Sequence, residues 1–316
     1  MLQFEFMQRA LIAALLVGLT APAVGTFLVQ RRLALIGDGM GHVALAGVAL
    51  GVLTSTSPVW TALAAAVAGA VLIELMRAYG RTSGDVALAI LFYGGIAGGV
   101  VLISLSPNGT PANLNAYLFG AITTTTVSDL MVFIVLAAVV LGSVLLLAPR
   151  MFAVSNDEEY ARATGMNVLA LNVLLAILTA VTVVVSMRVV GLLLISALMI
   201  VPTAIAQQTA RSFRGSLVSA VVVGTVTSVL GVSASYYTNT PSGGTIVVLA
   251  IAVFLVVALG TAARRRLGAR RHPSALYHPH EHGEDCGHPA VPHEDHVDFL
   301  HDGRRHAAHR GHYDEH

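Results

Sequence analysis

RRLALIGDGMGHVALAGVALG, Arg31 to Gly51, sets an arginine pair against an apolar run that carries an aspartate and a histidine four residues apart. Whether this run crosses a membrane decides whether the chain has an odd or an even number of spans. The composition around it favours crossing. Of 316 residues, 55% are hydrophobic and 11% charged, whereas about a quarter of a soluble domain is charged. The apolar residues fall in blocks of about 17 to 25, the length that crosses a hydrocarbon core of roughly 30 Å. Short polar or arginine-bearing links separate the blocks. With several spans in series, the first block does not read as a cleaved signal peptide.

Nine spans are expected, near residues 8–29, 36–54, 58–77, 86–106, 129–149, 168–187, 189–209, 215–236 and 245–263. Arginine placement tests the count, because short cytoplasmic loops collect positive charge. Arg31 and Arg32, Arg77 and Arg81, Arg150 and Arg162, Arg211 and Arg214, and Arg264 to Arg266 occupy alternate links. The links at 54–57, 106–128 and 236–245 carry no basic residue. An all-α polytopic membrane protein with its N-terminus outside and its C-terminus inside satisfies this pattern, with Arg188 as the exception. Eight spans is the alternative, and it moves one arginine pair to the wrong side.

A boundary is expected near Arg264, dividing a membrane domain, 1–263, from a polar tail, 264–316. Twelve of the thirteen histidines lie in the tail, leaving only His42 before it. Few aliphatics remain there to offset the entropy of ordering, so the tail is expected to be disordered without a ligand. His278, His280, His282, Cys286, His288, His293 and His296 are its candidate metal ligands. The tail reads either as a cytoplasmic metal buffer or sensor, or as a dispensable extension. Cys286 is the single cysteine, so no intramolecular disulfide forms.

Asp38 and His42 stand at i and i+4, which places both side chains on one helix face. An ionised aspartate near mid-bilayer costs about 2.5–3.5 kcal/mol on insertion scales, so it faces protein, water or a pathway rather than lipid. A transition metal offsets that cost, since imidazole and carboxylate suit zinc and manganese. The competing reading makes Asp38 a helix cap bonded to backbone N–H groups, with Gly37, Gly39 and Gly41 giving an irregular start. Two ligands do not complete a coordination shell, so a second copy, other residues or water must contribute. Glu74 and Asp85 read as interfacial ion-pair formers, and Arg188 as a residue snorkelling to headgroups. No HExxH, GxSxG or GxxxxGK[ST] motif is present, which removes zinc-protease, serine-hydrolase and ATPase machinery from this chain.

Three glycine pairs at four-residue spacing, Gly47 with Gly51, Gly94 with Gly98 and Gly95 with Gly99, are suited to close helix packing. Pro202 is expected to kink or break its span. Between the fifth and sixth spans, SNDEEYARATGMN reads as a short cytoplasmic helix capped by Ser155 or Asn156 and stopped by Gly165.

RRLALIGDGMGHVALAGVALG, SGDVALAILF, LNAYLFG, EEYARATGMN, VVGLLLISALMIVPTAIA and SYYTNTPSGGTIVVL occur in that order within residues 1 to about 263. Together they resemble the ZnuB-like permeases of bacterial ABC importers for zinc and manganese. The resemblance implies a type II ABC importer-like permease, a homodimer in the bacterial cytoplasmic membrane. Its expected partners are a separate ATP-binding subunit, an extracytoplasmic metal-binding protein and membrane lipid, with no nucleic acid. It implies that Asp38 and His42 contact the transported metal, Zn2+ or alternatively Mn2+, with no permanently bound cofactor. It also implies that Glu158, Glu159, Tyr160, Ala161, Arg162, Ala163 and Gly165 form the helix that meets the ATPase. The family often has a proline after its histidine, where this chain has Ala46, which puts the helix shape near the site in question. Pro241 to Thr245 would lie outside, where the binding protein docks, although a tight link explains it equally.

Two other classes compete. A proton-coupled secondary metal transporter would need no ATPase, but such carriers often show inverted repeats and more intramembrane carboxylates. A membrane metal sensor lacks any output domain here. Within the ABC class, a metal-chelate importer is the runner-up.

Overall fold

The apolar blocks fold into helices whose packed faces mix small residues with large ones such as Phe27, Phe133 and Ile73. The computed structural model describes residues 3–79, 84–105, 114–121, 125–187, 189–192, 194–271, 286–293, 296–301, 304–309 and 312–315. The long helices are α1 (Glu5–Gln30), α2 (Ile36–Leu53), α3 (Pro58–Tyr79), α4 (Gly84–Ser104), α6 (Val127–Asn156), α8 (Val168–Ser186), α10 (Phe213–Thr238) and α11 (Ser242–Arg271). Three shorter ones are α5 (Leu114–Phe119), α7 (Glu158–Ala163) and α9 (Ile195–Thr209). Among the described residues, eight helices are long and apolar enough to cross a membrane.

The ninth expected span is built differently. The run 189–209 starts as a non-helical segment and becomes helical only at Ile195. Gly191 sits there at φ +88°, a left-handed conformation that ends helix propagation. At 15 residues, α9 is about 22 Å long and too short to cross alone. Because α8 and α10 must both run outward to keep the arginines on one side, α9 with the turns that precede it supplies the return. The chain stays helical through Pro202, so the break lies upstream of the proline rather than at it. The backbone groups of the leader are satisfied by protein: the Leu192 amide donates to the Tyr117 carbonyl at 2.8 Å, and Ser242 Oγ donates to the Val189 carbonyl at 2.6 Å.

Helix α1 lies among α6, α8, α9 and α10, while α2 lies between α3 and α4 and also meets α8 and α9. The hydrophobic effect gives no net drive between helices in lipid, so close approach of small residues holds such contacts. Gly47 and Gly51 meet α3, and Gly95 and Gly99 meet α2, but nothing lies within 4 Å of a Cβ built at Gly94 or Gly98. Buried hydroxyls on α8 are satisfied within the helix: Thr179, Thr182 and Ser186 each donate to the carbonyl four residues back. Leu145, Leu146, Val256 and Leu259 are among the large aliphatics left exposed, as lipid-facing residues must be.

Two compact units divide within α11, after Leu255. The helix runs unbroken to Arg271, past the boundary expected at 264. Strands β1 (Ala290–His293), β2 (His296–His301), β3 (Arg304–His309) and β4 (His312–Glu315) form an antiparallel meander in sequence order. Among the described residues of this ladder, Asp298, His306 and Ala307 are buried and Val297 is exposed.

Candidate metal site and cytoplasmic coupling face

Helix α2 is one continuous helix from Ile36, and its glycines allow close approach rather than unwinding. A Cβ at Gly41 would lie 2.6 Å from the Leu192 carbonyl oxygen, and one at Gly37 would lie 2.9 Å from Ser196 Oγ. The residue before the helix, Leu35, makes no side-chain cap. Among the described residues Asp38 makes no hydrogen bond or ion pair, which removes the capping explanation for it. Asp38 and His42 are both half-buried on this helix, close enough for the carboxylate charge to act on the imidazole.

His42 Nδ1 is buried and, among the described residues, has no hydrogen-bond partner. Its ring meets the edge of Phe92 on α4, with centroids 4.3 Å apart. Gly95 permits this approach, since a Cβ there would stand 2.7 Å from the His42 carbonyl carbon. The arrangement offers one imidazole nitrogen and one carboxylate from a single helix, held by a packed wall on the α4 side. Phe92 and Gly95 were not legible as part of this site, because nothing in the sequence says which face of α4 meets α2.

The segment expected to meet the ATPase is helical over Glu158–Ala163, with a different cap. Asp157, rather than Ser155 or Asn156, is the N-cap, its side chain accepting from the Tyr160 amide at 2.8 Å. Gly165 stops the helix at φ +81°. Ala161 is buried in a small cluster with Val154 and Val168, while Glu159, Tyr160, Arg162 and Ala163 are exposed. The helix thus anchors by one small residue and presents a polar face with one aromatic.

Arg31 was not singled out by sequence reasoning, yet it ties this helix to the rest of the protein. Its guanidinium donates to Asn172 Oδ1 on α8 at 2.6 Å and to Glu158 on α7 at 3.2 Å. Glu158 also accepts from Arg162 at 3.0 Å. The Arg31 side chain is only 7% exposed, and burial lowers its pKa from the ordinary arginine value against the opposing pull of Glu74 and Glu158. Glu74 pairs with Arg77 at 2.7 Å, as expected of an interfacial ion-pair former. Glu74, Arg77, Glu158, Arg162 and Asn172 line a polar cavity of about 350 Å³. The side chains of Asp85 and Arg188 lie outside the described residues.

On the far side of the membrane domain, Ser242 in the PSGGT stretch is buried against Val189, so at least that residue serves as a structural link. In the tail, His293 and His296 come together around Asp298, which sequence reading did not select. Cys286 and His288 are partly exposed, and His278, His280 and His282 lie outside the described residues.

Residues 3–261 match the model of the ABC 3 transport family. A "Probable metal transport system membrane protein" of Treponema pallidum is 34% identical over 267 residues, covering 84% of this chain and 100% of that protein. The manganese transport system membrane protein MntC of Listeria monocytogenes is 30% identical, covering 82% of this chain and 92% of the relative. The high-affinity zinc uptake system membrane protein ZnuB of Buchnera aphidicola is 29% identical, covering 77% and 93%. Among solved structures, PsaBC from Streptococcus pneumoniae in complex with Fab aligns with a TM-score of 0.73 at 31% identity, over 81% of this chain and 92% of that one. Relatives named for manganese and for zinc both appear, so membership does not select the metal. The chain belongs to the ABC-3 transport family and is the membrane permease subunit of an ABC metal importer.

Proposed function

We propose that this permease carries zinc, with Asp38 and His42 as transient ligands on its path. The observation that carries this reading is the buried Nδ1 of His42, unpartnered among the described residues, on the helix that also holds Asp38. A buried nitrogen without a partner is costly unless something else satisfies it, and a borderline divalent cation does so by accepting the nitrogen's lone pair. Imidazole suits zinc better than manganese, which prefers oxygen donors. Zinc here is cargo, and the site's incomplete ligand set allows release.

The working assembly is a homodimer with two ATP-binding subunits on the cytoplasmic side and one metal-binding protein outside. ATP hydrolysis belongs to the partner subunit. The exposed face of α7, with Glu159, Tyr160, Arg162 and Ala163, meets that subunit, and Arg31 passes its movement toward α2. Neutral imidazole binds the ion and imidazolium does not, so protonation of His42 opposes loading.

The test is radiolabelled zinc and manganese uptake into cells lacking their own high-affinity importers and expressing this permease with its ATPase and binding protein. Zinc accumulation that excess manganese does not suppress is expected. Manganese accumulation without zinc would overturn the metal assignment. Uptake that persists without the ATPase would favour a proton-coupled carrier.

A further inference from the structure

In HEDHVD, His293 to Asp298, two imidazoles and a carboxylate are brought onto one face of a hairpin. The register pairs His293 with His296 across β1 and β2, and Val291 with Asp298. Opposed residues share a face, as do residues two apart on a strand, so His293, His296 and Asp298 all point the same way. Asp298 is fully buried, with Ala307 opposite it on β3. Its Oδ2 stands 3.2 Å from His293 Nδ1 and its Oδ1 stands 3.1 Å from His296 Nε2. One donor atom from each residue lies within 4.8 Å of the others.

We propose that these three side chains form a binding site for a borderline divalent transition metal such as zinc, in addition to the transport pair and independent of it. The chemistry and the spacing agree. A carboxylate without solvent needs a compensating positive charge, and each imidazole beside it carries a nitrogen able to ligate a metal. A bound divalent ion supplies that charge and uses both nitrogens. Donors held at about 2.0–2.1 Å around a tetrahedral ion stand about 3.3 Å apart, close to the two carboxylate–imidazole separations already present. Two imidazoles and one carboxylate are a donor set suited to zinc and cobalt rather than calcium or magnesium. Three protein ligands leave a fourth position open to water, as in exchangeable rather than closed structural sites. The sheet therefore holds a reversible ion-responsive centre, and the ion braces the β1–β2 hairpin through side chains on both strands.

The experiment uses the full-length permease in detergent, carrying Asp38→Ala and His42→Ala so that transport ligands do not contribute, titrated with cobalt and then zinc. The first equivalent of cobalt should give the intense visible absorption of a four-coordinate site, and zinc should displace it. Asp298→Asn, His293→Gln and His296→Gln should each weaken this first equivalent at least tenfold, while His272→Gln and His316→Gln leave it unchanged. Absence of the four-coordinate band in the chain with an intact triad would overturn the proposal, whatever the stability of the variants. Equal weakening by all five substitutions would also overturn it, since that is the response of generic histidine-rich binding.

Discussion

Arg31 donates to Glu158 at 3.2 Å across 127 positions of sequence. The contact joins the segment that enters α2, seven residues before Asp38, to the short helix α7 on the exposed cytoplasmic face. Asn172 holds the other end of the same guanidinium at 2.6 Å. A displacement of α7 therefore acts on a buried cation fixed between α8 and the entrance of α2. In the proposed assembly this contact is the route by which ATPase movement would reach Asp38 and His42.

Replacing Asn172 by Leu removes one acceptor from a charged, buried donor. Such a loss costs about 1.5–3 kcal/mol, and the thermal midpoint of the detergent-solubilised permease should fall accordingly. Glu158→Gln keeps an oxygen acceptor beside Arg31 and should cost less, because Glu158 is 42% exposed and its ion pair is partly screened. A midpoint unchanged by Asn172→Leu would mean that Arg31 is not held as described.

Tyr160 is 63% exposed, so its ring contributes little to the isolated permease. Tyr160→Ala should leave stability within about 0.5 kcal/mol, as surface substitutions do, while reducing co-purification of the ATPase subunit. Wild-type recovery of the ATPase would remove this ring from the interface.

Two adjacent glycines give opposite expectations. A methyl at Gly95 meets the α2 backbone at His42, whereas one at Gly94 meets nothing within 4 Å. Gly95→Ala should therefore cost about 1–3 kcal/mol of overpacking and lower metal uptake severalfold, with Gly94→Ala near wild type in both. Equal effects on uptake and stability would contradict the packing of α4 against the metal-bearing face.

The long helices were legible because alternating arginine-bearing and arginine-free links mark their ends, and length and hydropathy mark their bodies. The run 189–209 misled because hydropathy does not report backbone conformation: its leader is as apolar as a helix but turns at Gly191 and bonds to Tyr117. Asp38 and His42 could be singled out because charge is rare in that part of the chain. Arg31 could not, since its partners Glu158 and Asn172 lie far away in sequence and all three types are common at loop ends. Asp298 was hidden for a related reason: the tail holds many acids, and only strand register selects one of them.

The most direct test of the transport account is zinc uptake by Asp38→Ala and His42→Ala permeases, with ATPase assembly measured on the same preparations. Among the described residues Asp38 makes no hydrogen bond, so truncating it should leave the fold intact. The account predicts background uptake in each variant with the ATPase bound as in wild type. Wild-type zinc uptake in both would contradict it.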